Sequence, residues 1–428
     1  MANFTTNTQV DFSELGIFFS AGSESVLQAT SSLVQVITPT GSYQDYTGYF
    51  NYTYSGNYKY LSWPNSNLTG LTTYSSHWDK QFSITGLVIP GSNYQFYGDN
   101  NDIAGLKSFA LRGNDSITGS NFNDVLWGYA GDDILDGRAG NDVLNGGDGN
   151  DSAYYNGAIA SVTLNLWNTG SQSTVNAGFD TLISVENLLG SNYNDTLAGN
   201  AVANNINGAA GDDKLIGGAG NDVLIGGDGN DGLSGGDGND ILNGGNGIDW
   251  GQYWSTTGGV IVDMNITNPQ NTLGAGIDTL ISIENFNGSG FNDFLIGNAL
   301  SNTLLGNAGS DTLAGGIGND VLGGGTGKDT FLFNTVLSNN IDRINDFIPV
   351  DDTIKLENTI FTKLTNLGVI NIAYFKVGIA ADSNDYIIYN KASGTLLYDT
   401  DGNGAGLAVK IAVLGTHPTL TADDFMVV

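Results

Sequence analysis

The sequence predicts an all-β protein: a parallel β-roll preceded by an N-terminal β-sandwich-like domain and followed by a C-terminal β-rich domain. Three observations carry that prediction. From Gly220 the chain reads GNDVLIGGDGNDGLSGGDGNDILNGGNGID, in which Asp222, Asp231, Asp240 and Asp249 recur every nine residues behind a Gly-x pair. Outside such runs, apolar and polar residues alternate with the period of two that a half-buried strand requires. Glycine makes up 63 of 428 residues without the three-residue period of collagen, and charged residues only 13%, so neither a fibre nor an ordinary disordered chain fits.

The nine residues divide into a six-residue turn, G-G-x-G-x-D, and a three-residue strand, x-U-x. The central apolar side chain of that strand points inward and its neighbours point out. Two such units complete one coil, so residues eighteen apart stack on the same edge. The glycines answer turns that need positive φ and backbones that pass close together. Stacked turns offer backbone carbonyls with a carboxylate from each of two coils, and calcium takes about six to eight such hard oxygens. Asp222 is therefore expected to share an ion with Asp240, and Asp213 with Asp231.

The nonapeptide resembles the repeat of the RTX, or haemolysin-type, calcium-binding proteins, which Gram-negative bacteria and cyanobacteria export. The resemblance covers the three repeat blocks, and it implies calcium ligands along all of them. The first block, residues 113–152, has Asp115, Asp124, Asp133, Asp142 and Asp151 in frame. The second, 192–250, has Asp195, Asp213, Asp222, Asp231, Asp240 and Asp249, with Asn204 standing in one aspartate position. The third, 290–334, has Asp293, Asp311, Asp320 and Asp329, with Asn302 interrupting. Turn glycines Gly211, Gly220, Gly229, Gly238, Gly247, Gly309, Gly318 and Gly327 belong to the same expected sites. Asp pairs eighteen apart number three, four and two in the successive blocks, which predicts about nine calcium sites. An asparagine keeps an oxygen but loses a charge, so the Asn204–Asp222 and Asn302–Asp320 sites are expected to be weaker.

Before the repeats, residues 1–110 read as an all-β domain with alternation in Phe50–Tyr54, Tyr58–Trp63 and Gln81–Ile84. Trp63, Trp78 and several tyrosines there admit two readings: a platform for sugar rings, or core and cross-strand packing, the commoner role of strand aromatics. Between the blocks the chain repeats at a longer period, since GFDTLISVEN from Gly178 returns as GIDTLISIEN from Gly276, 98 residues on. The intervening inserts contain strand-like Val162–Leu166 and Val260–Met264, then a second strand ending at Glu186 or Glu284. Those glutamates are either extra calcium ligands or, the commoner case, turn-capping or solvated side chains.

After Asp329 the sequence DTFLFN resembles the strand that closes RTX rolls, whose last rung would otherwise expose a sheet edge. Residues 336–428 resemble the C-terminal domain of serralysin-type proteases. That resemblance implies a type I secretion signal ending in Asp423-Asp424-Phe425-Met426-Val427-Val428, with a type I exporter as partner. The start MANFTTNTQVDFSELG has neither a basic nor an apolar region of a cleaved signal. Asp399-Thr400-Asp401-Gly402-Asn403 is close to an EF-hand loop, but the glycine is misplaced and Lys410 stands where the bidentate glutamate belongs, so it is expected to be a hairpin turn.

The formal net charge of -31 weighs against nucleic acid as a partner, because phosphates are bound by a basic footprint. Carboxylates this dense repel one another unless cations neutralise them. There is no cysteine, hence no disulfide framework or thiolate site, and no apolar run approaches the length of a membrane span. His77 and His417 are the only histidines; no H-E-x-x-H or G-x-S-x-G motif occurs. Taken together, these readings predict a non-enzymatic protein, secreted and extracellular or cell-surface associated, that folds on calcium as a structural or adhesive component. The alternative expectation is a glycan-binding or glycan-acting N-terminal domain carried on a calcium-stabilised roll.

Overall fold

The computed structural model describes residues 113–428 apart from 120, 175–177, 339 and 405, together with short strands within the first 112 residues. The chain divides into two units, residues 1–214 and 215–428.

In the first unit Ile117, Leu126, Leu135, Leu144 and Ala153 sit at the centres of successive strands, and none is more than 4% exposed. Each nine-residue step thus delivers one apolar side chain to the interior. Ser116–Thr118 lies parallel to Ile134–Asp136, which lies parallel to Ser152–Tyr154, with partners eighteen residues apart. The alternate strands Val125–Ala130 and Val143–Asp148 pair in the same register in a second sheet. A chain that crosses between two parallel sheets at every turn is a parallel β-roll. The strands of the first sheet have the three residues expected, and those of the second are longer, because Val143–Asp148 runs on through the paired glycines of the turn.

The insert keeps the winding. Phe179–Ile183 adds to Val143–Asp148 and Asn187–Leu189 to Ser152–Tyr154, both parallel. Thr163–Asn165 pairs with Thr196–Ala198, and Gln172–Ser173 folds back antiparallel on Phe179–Ile183. Glu186 therefore lies between strands and does not end one. Ahead of the roll, Asn51–Ser55, Tyr58–Ser62 and Lys80–Thr85 are strands where alternation predicts them, and Lys80–Thr85 pairs antiparallel with Ser116–Thr118. Trp63, His77 and Trp78 lie outside the described residues.

The second unit repeats the plan. Val223–Asp228, Ile241–Asn246 and Ile277–Ile281 are parallel neighbours, while Trp250–Gln252, Asn285–Asn287, Thr303–Leu305 and Val321–Gly323 form the facing series. DTFLFN does not close the roll. Its strand, Thr330–Phe333, is followed in parallel by Thr353–Leu356 and then Phe425–Val427, and Val321–Gly323 by Asp342–Ile344 and Val409–Leu414. One sheet ends instead in the antiparallel strand Gly368–Val369, and the other runs through antiparallel Thr395–Tyr398 and Ile387–Asn390 to Phe375–Val377 at its edge. The Asp399–Asn403 stretch joins Thr395–Tyr398 to Val409–Leu414 as the tip of a hairpin, as expected. Among the described residues no helix is long and apolar enough to cross a membrane.

Candidate metal centre

The aspartates of the repeats stack in ladders along the turns. Each is almost wholly buried: Asp133, Asp142, Asp151, Asp240, Asp249, Asp311, Asp320 and Asp329 are at most 1% exposed. One oxygen, Oδ1, is used by the protein, accepting the backbone amide one coil earlier. Asp115 donates its amide to Asp133 at 2.8 Å, Asp124 to Asp142 at 2.8 Å and Asp133 to Asp151 at 2.8 Å. The same bond joins Asp195 to Asp213 (2.7 Å), Asp222 to Asp240 and Asp231 to Asp249 (both 2.8 Å), Asp293 to Asp311 (2.7 Å) and Asp311 to Asp329 (3.0 Å). The eighteen-residue register of the sequence is thus the spacing of these coil-to-coil hydrogen bonds.

The other oxygen is the informative one. Oδ2 of Asp133, Asp142, Asp151, Asp240, Asp249, Asp311, Asp320 and Asp329 is buried and makes no hydrogen bond among the described residues. Buried polar atoms are satisfied in the great majority of cases, so the same atom orphaned on the same residue of one motif marks a missing partner. Glycine geometry shows where that partner fits. A Cβ added to Gly128 would overlap Asp133 Oδ2 and the Gly146 carbonyl oxygen, and one added to Gly306 would overlap Asp311 Oδ2 and the Gly324 carbonyl. A carboxylate and a carbonyl from successive coils thus converge on space kept open by glycine. Among the described residues no three carboxylate or imidazole groups cluster, so carbonyls must complete any coordination shell. An all-oxygen set of two carboxylates and several carbonyls suits calcium.

The electrostatics agree. Burial pushes Asp142 up to about 8 and Asp133, Asp240 and Asp311 up to about 7, with neighbouring carboxylates such as Asp180, Asp151, Asp278 and Asp329 adding to the rise. Without a cation these positions favour the protonated acid. A bound divalent ion reverses that preference, because opposite charge stabilises the carboxylate.

Sequence patterns place glycine where the fold needs it. Gly220, Gly229, Gly238, Gly247, Gly309, Gly318 and Gly327 all hold positive φ, as does Gly211. At Gly238, with φ of 148°, a Cβ would strike the Gly220 carbonyl of the coil before.

Not every expected ligand presents a free oxygen. Asp195 accepts the Ser191 amide and hydroxyl at 2.6 and 2.8 Å and the Val162 amide at 2.7 Å. Asp293 is held in the same way by Ser289 and Val260. Asn204 and Asn302 each donate their side-chain amide at 2.7 Å to a carbonyl, of Glu186 and Glu284 respectively. At the expected Asn302–Asp320 site the Asn302 side-chain amide is thus engaged, while Asp320 Oδ2 has no hydrogen bond among the described residues.

Other carboxylates join the ladders without the nonapeptide frame. Asp180 and Asp278 accept the amides of Asp142 and Asp240 at 2.9 Å, and Glu186 and Glu284 those of Asp151 and Asp249 at 2.9 Å. Both glutamates, half-buried, occupy an aspartate's place in accepting the amide of the ladder residue. Further on, Asp342 and Asp352 accept the amides of Asp320 and Asp329 at 3.2 and 3.0 Å. The only sequence signal for Asp180 and Asp278 was the G-x-D of GFD and GID; Asp342 and Asp352 sit 22 and 23 residues beyond their partners, off the period.

The sequence pattern of the RTX calcium-binding nonapeptide repeat matches residues 109–144, 132–157, 189–224, 216–250 and 296–331. The chain carries RTX calcium-binding repeats. The matches fall on all three blocks, and RTX repeats bind calcium, in keeping with the oxygen-lined ladders. No curated protein matches the chain. Among solved structures, this chain is similar to the AlgE6R3 subunit of the Azotobacter vinelandii mannuronan C5-epimerase, at 24% identity over 32% of this chain and 78% of that one, with a TM-score of 0.20. It is also similar to the extracellular lipase LipA of Serratia marcescens, at 16% identity over 56% of this chain and 40% of the lipase, with a TM-score of 0.17.

Proposed function

We propose that this RTX protein is exported unfolded and folds outside the cell on calcium, where it serves as a non-enzymatic structural or adhesive component of the surface or matrix. The observation that carries the reading is the set of buried ladder aspartates, Asp133, Asp142, Asp240 and Asp311 among them, whose Oδ2 atoms have no partner among the described residues. Such a ladder is unstable without divalent ions, and the net charge of -31 keeps the ion-free chain expanded. Extracellular calcium modules bind with dissociation constants of roughly 10⁻⁴–10⁻³ M, so the fold forms outside and not in a low-calcium cytosol. The C-terminal Phe425–Val427 strand pairs with Thr353–Leu356 once folded, so a type I exporter would read this segment before folding buries it. The proposed sites are those aspartates with the turn carbonyls beside them; of the nine Asp pairs in the sequence, the two that include Asp195 and Asp293 have that member already held by protein donors.

The test is a calcium titration of the full chain followed by circular dichroism and by metal analysis. Expected are gain of β-structure between micromolar and millimolar calcium and its loss in EGTA; an unchanged spectrum in EGTA would overturn calcium-driven folding. Exposure of the full chain to a broad glycan array in millimolar calcium tests the non-binding structural role. Selective glycan binding, lost on Trp63→Ala or Trp78→Ala, would replace it with a lectin-like one.

A further inference from the structure

The rungs of this protein are completed in two different ways. In the repeats, the second carboxylate oxygen, as on Asp142 and Asp240, is buried without a protein partner. In the inserts and the first rungs of the repeat blocks that follow them, protein donors take the place of an ion. Asp180 Oδ2 accepts the Tyr155 hydroxyl at 3.0 Å and the Thr174 hydroxyl at 3.4 Å. Asp195 is saturated by Ser191 and the Val162 amide, and Asn204 bonds the Glu186 carbonyl at 2.7 Å while its own oxygen accepts the Asn200 amide at 2.8 Å. Among the described residues of 154–204, no buried side-chain oxygen lacks a partner.

The same construction occurs again 98 residues later, in the other unit. Asp278 Oδ2 accepts the Tyr253 and Thr272 hydroxyls, both at 2.9 Å. Asp293 is saturated by Ser289 and Val260, and Asn302 bonds the Glu284 carbonyl and the Asn298 amide. Only Asn287 Oδ1, an amide and not a carboxylate, is an orphan between 252 and 302 among the described residues. Each insert also begins a sheet that the following repeats continue: Thr163–Asn165 on Thr196–Ala198 over Val162, Leu164 and Leu197, and Ile261–Asp263 on Phe294–Ile296 over Val260, Val262 and Leu295.

We infer that residues 154–204 and 252–302 are calcium-independent clasps, folded before the ion arrives, from which the acidic coils wind as calcium binds. The inference rests on the calcium-folding reading above. Physically, a roll is a chain of nearest-neighbour interfaces, and its first rung is the costly one. Each clasp supplies a finished rung: Asn187–Leu189 offers both edges, to Ser152–Tyr154 and to Asn205–Ala210, and Asn285–Asn287 does so for Trp250–Gln252 and Thr303–Leu305. A clasp in each 98-residue unit lets every acidic run wind from a preset register.

Hydrogen exchange by mass spectrometry on the full chain, in millimolar calcium and in EGTA, tests this. In EGTA, peptides from the two inserts should exchange at least ~10-fold more slowly than peptides from 113–152 and 217–249. Tyr155→Phe should abolish that slowing in the first insert alone and Tyr253→Phe in the second alone, with the repeats still protected in calcium. If the inserts exchange as fast as the repeats in EGTA, the clasps are refuted while calcium-driven folding stands. Repeats that stay protected in EGTA would refute calcium-driven folding and the clasps with it. Protection untouched by either tyrosine variant would also overturn the assignment, since the hydroxyl is the group put in the ion's place.

Discussion

An aspartate in this array splits its work between its two oxygens: Oδ1 ties one coil to the previous one and Oδ2 waits for an ion. Asp240 shows both, holding the Asp222 amide at 2.8 Å through Oδ1 while Oδ2 has no partner. Asp240→Asn keeps the first role and removes the second, together with a buried charge. It should cost about 1–3 kcal/mol in saturating calcium and nothing in EGTA, where loss of the charge stabilises instead; thermal melts under both conditions check the difference. The residue before each aspartate has its own task. Asn123, Asn221 and Asn292 cap the amides of Asn141, Asn239 and Ser310 one coil later, at 2.9, 2.9 and 2.7 Å, a staple needing no ion. Ala209 stands where the second turn glycine belongs and is held at φ of 78°. Ala209→Gly should therefore stabilise the protein by about 0.5–1 kcal/mol, read as a raised Tm in calcium.

At the scale of the strand, one side chain in nine carries the packing. Within Ile241–Asn246, Leu242 is fully buried and Ile241 is 39% exposed. Leu242→Ala should cost about 2–5 kcal/mol by leaving a cavity in a stack that cannot collapse, whereas Ile241→Ala should change stability by less than about 1 kcal/mol. Calcium-saturated thermal unfolding of the two variants measures the contrast. The turns are as demanding as the strands. Gly238→Ala would both force a side chain into positive φ and drive it into the Gly220 carbonyl, so it should lower stability by about 1–3 kcal/mol while leaving the aspartates in place.

At the scale of the whole molecule the aspartates act together. Their ordinary value of 3.8 is raised in the fold, to about 7 at Asp133, Asp240 and Asp311 and about 8 at Asp142. The folded, ion-free protein therefore holds protons that the unfolded chain has released. That contribution is fully present below about pH 4 and is lost as pH rises through 7 to 8. EGTA-treated protein should consequently be more ordered at pH 5 than at pH 8.5, by circular dichroism and urea unfolding. Calcium must displace those same protons, so its affinity should rise over the same interval and binding should release protons in an unbuffered titration. Equal stability of the ion-free protein at both pH values would show that the carboxylates are not buried as described.

The sequence by itself determined the roll, its eighteen-residue register and the ladder of aspartates. A nine-residue period leaves little choice: one apolar residue per unit must go inward, and turns crowded to backbone contact accept only glycine. Asp222 with Asp240 could be paired from spacing alone for that reason. What only the tertiary structure decided lies where the period breaks. Asp180, Glu186, Asp342 and Asp352 take ladder positions because loops of other lengths return the chain to the same edge, and loop length hides that return from any fixed count. Asp195 and Asp240 look alike in sequence, yet Asp195 is satisfied by Ser191, four residues back, and by Val162, 33 residues back. Whether a carboxylate calls for an ion depends on which donors reach it, and reach is set by how the chain packs, which no repeat records.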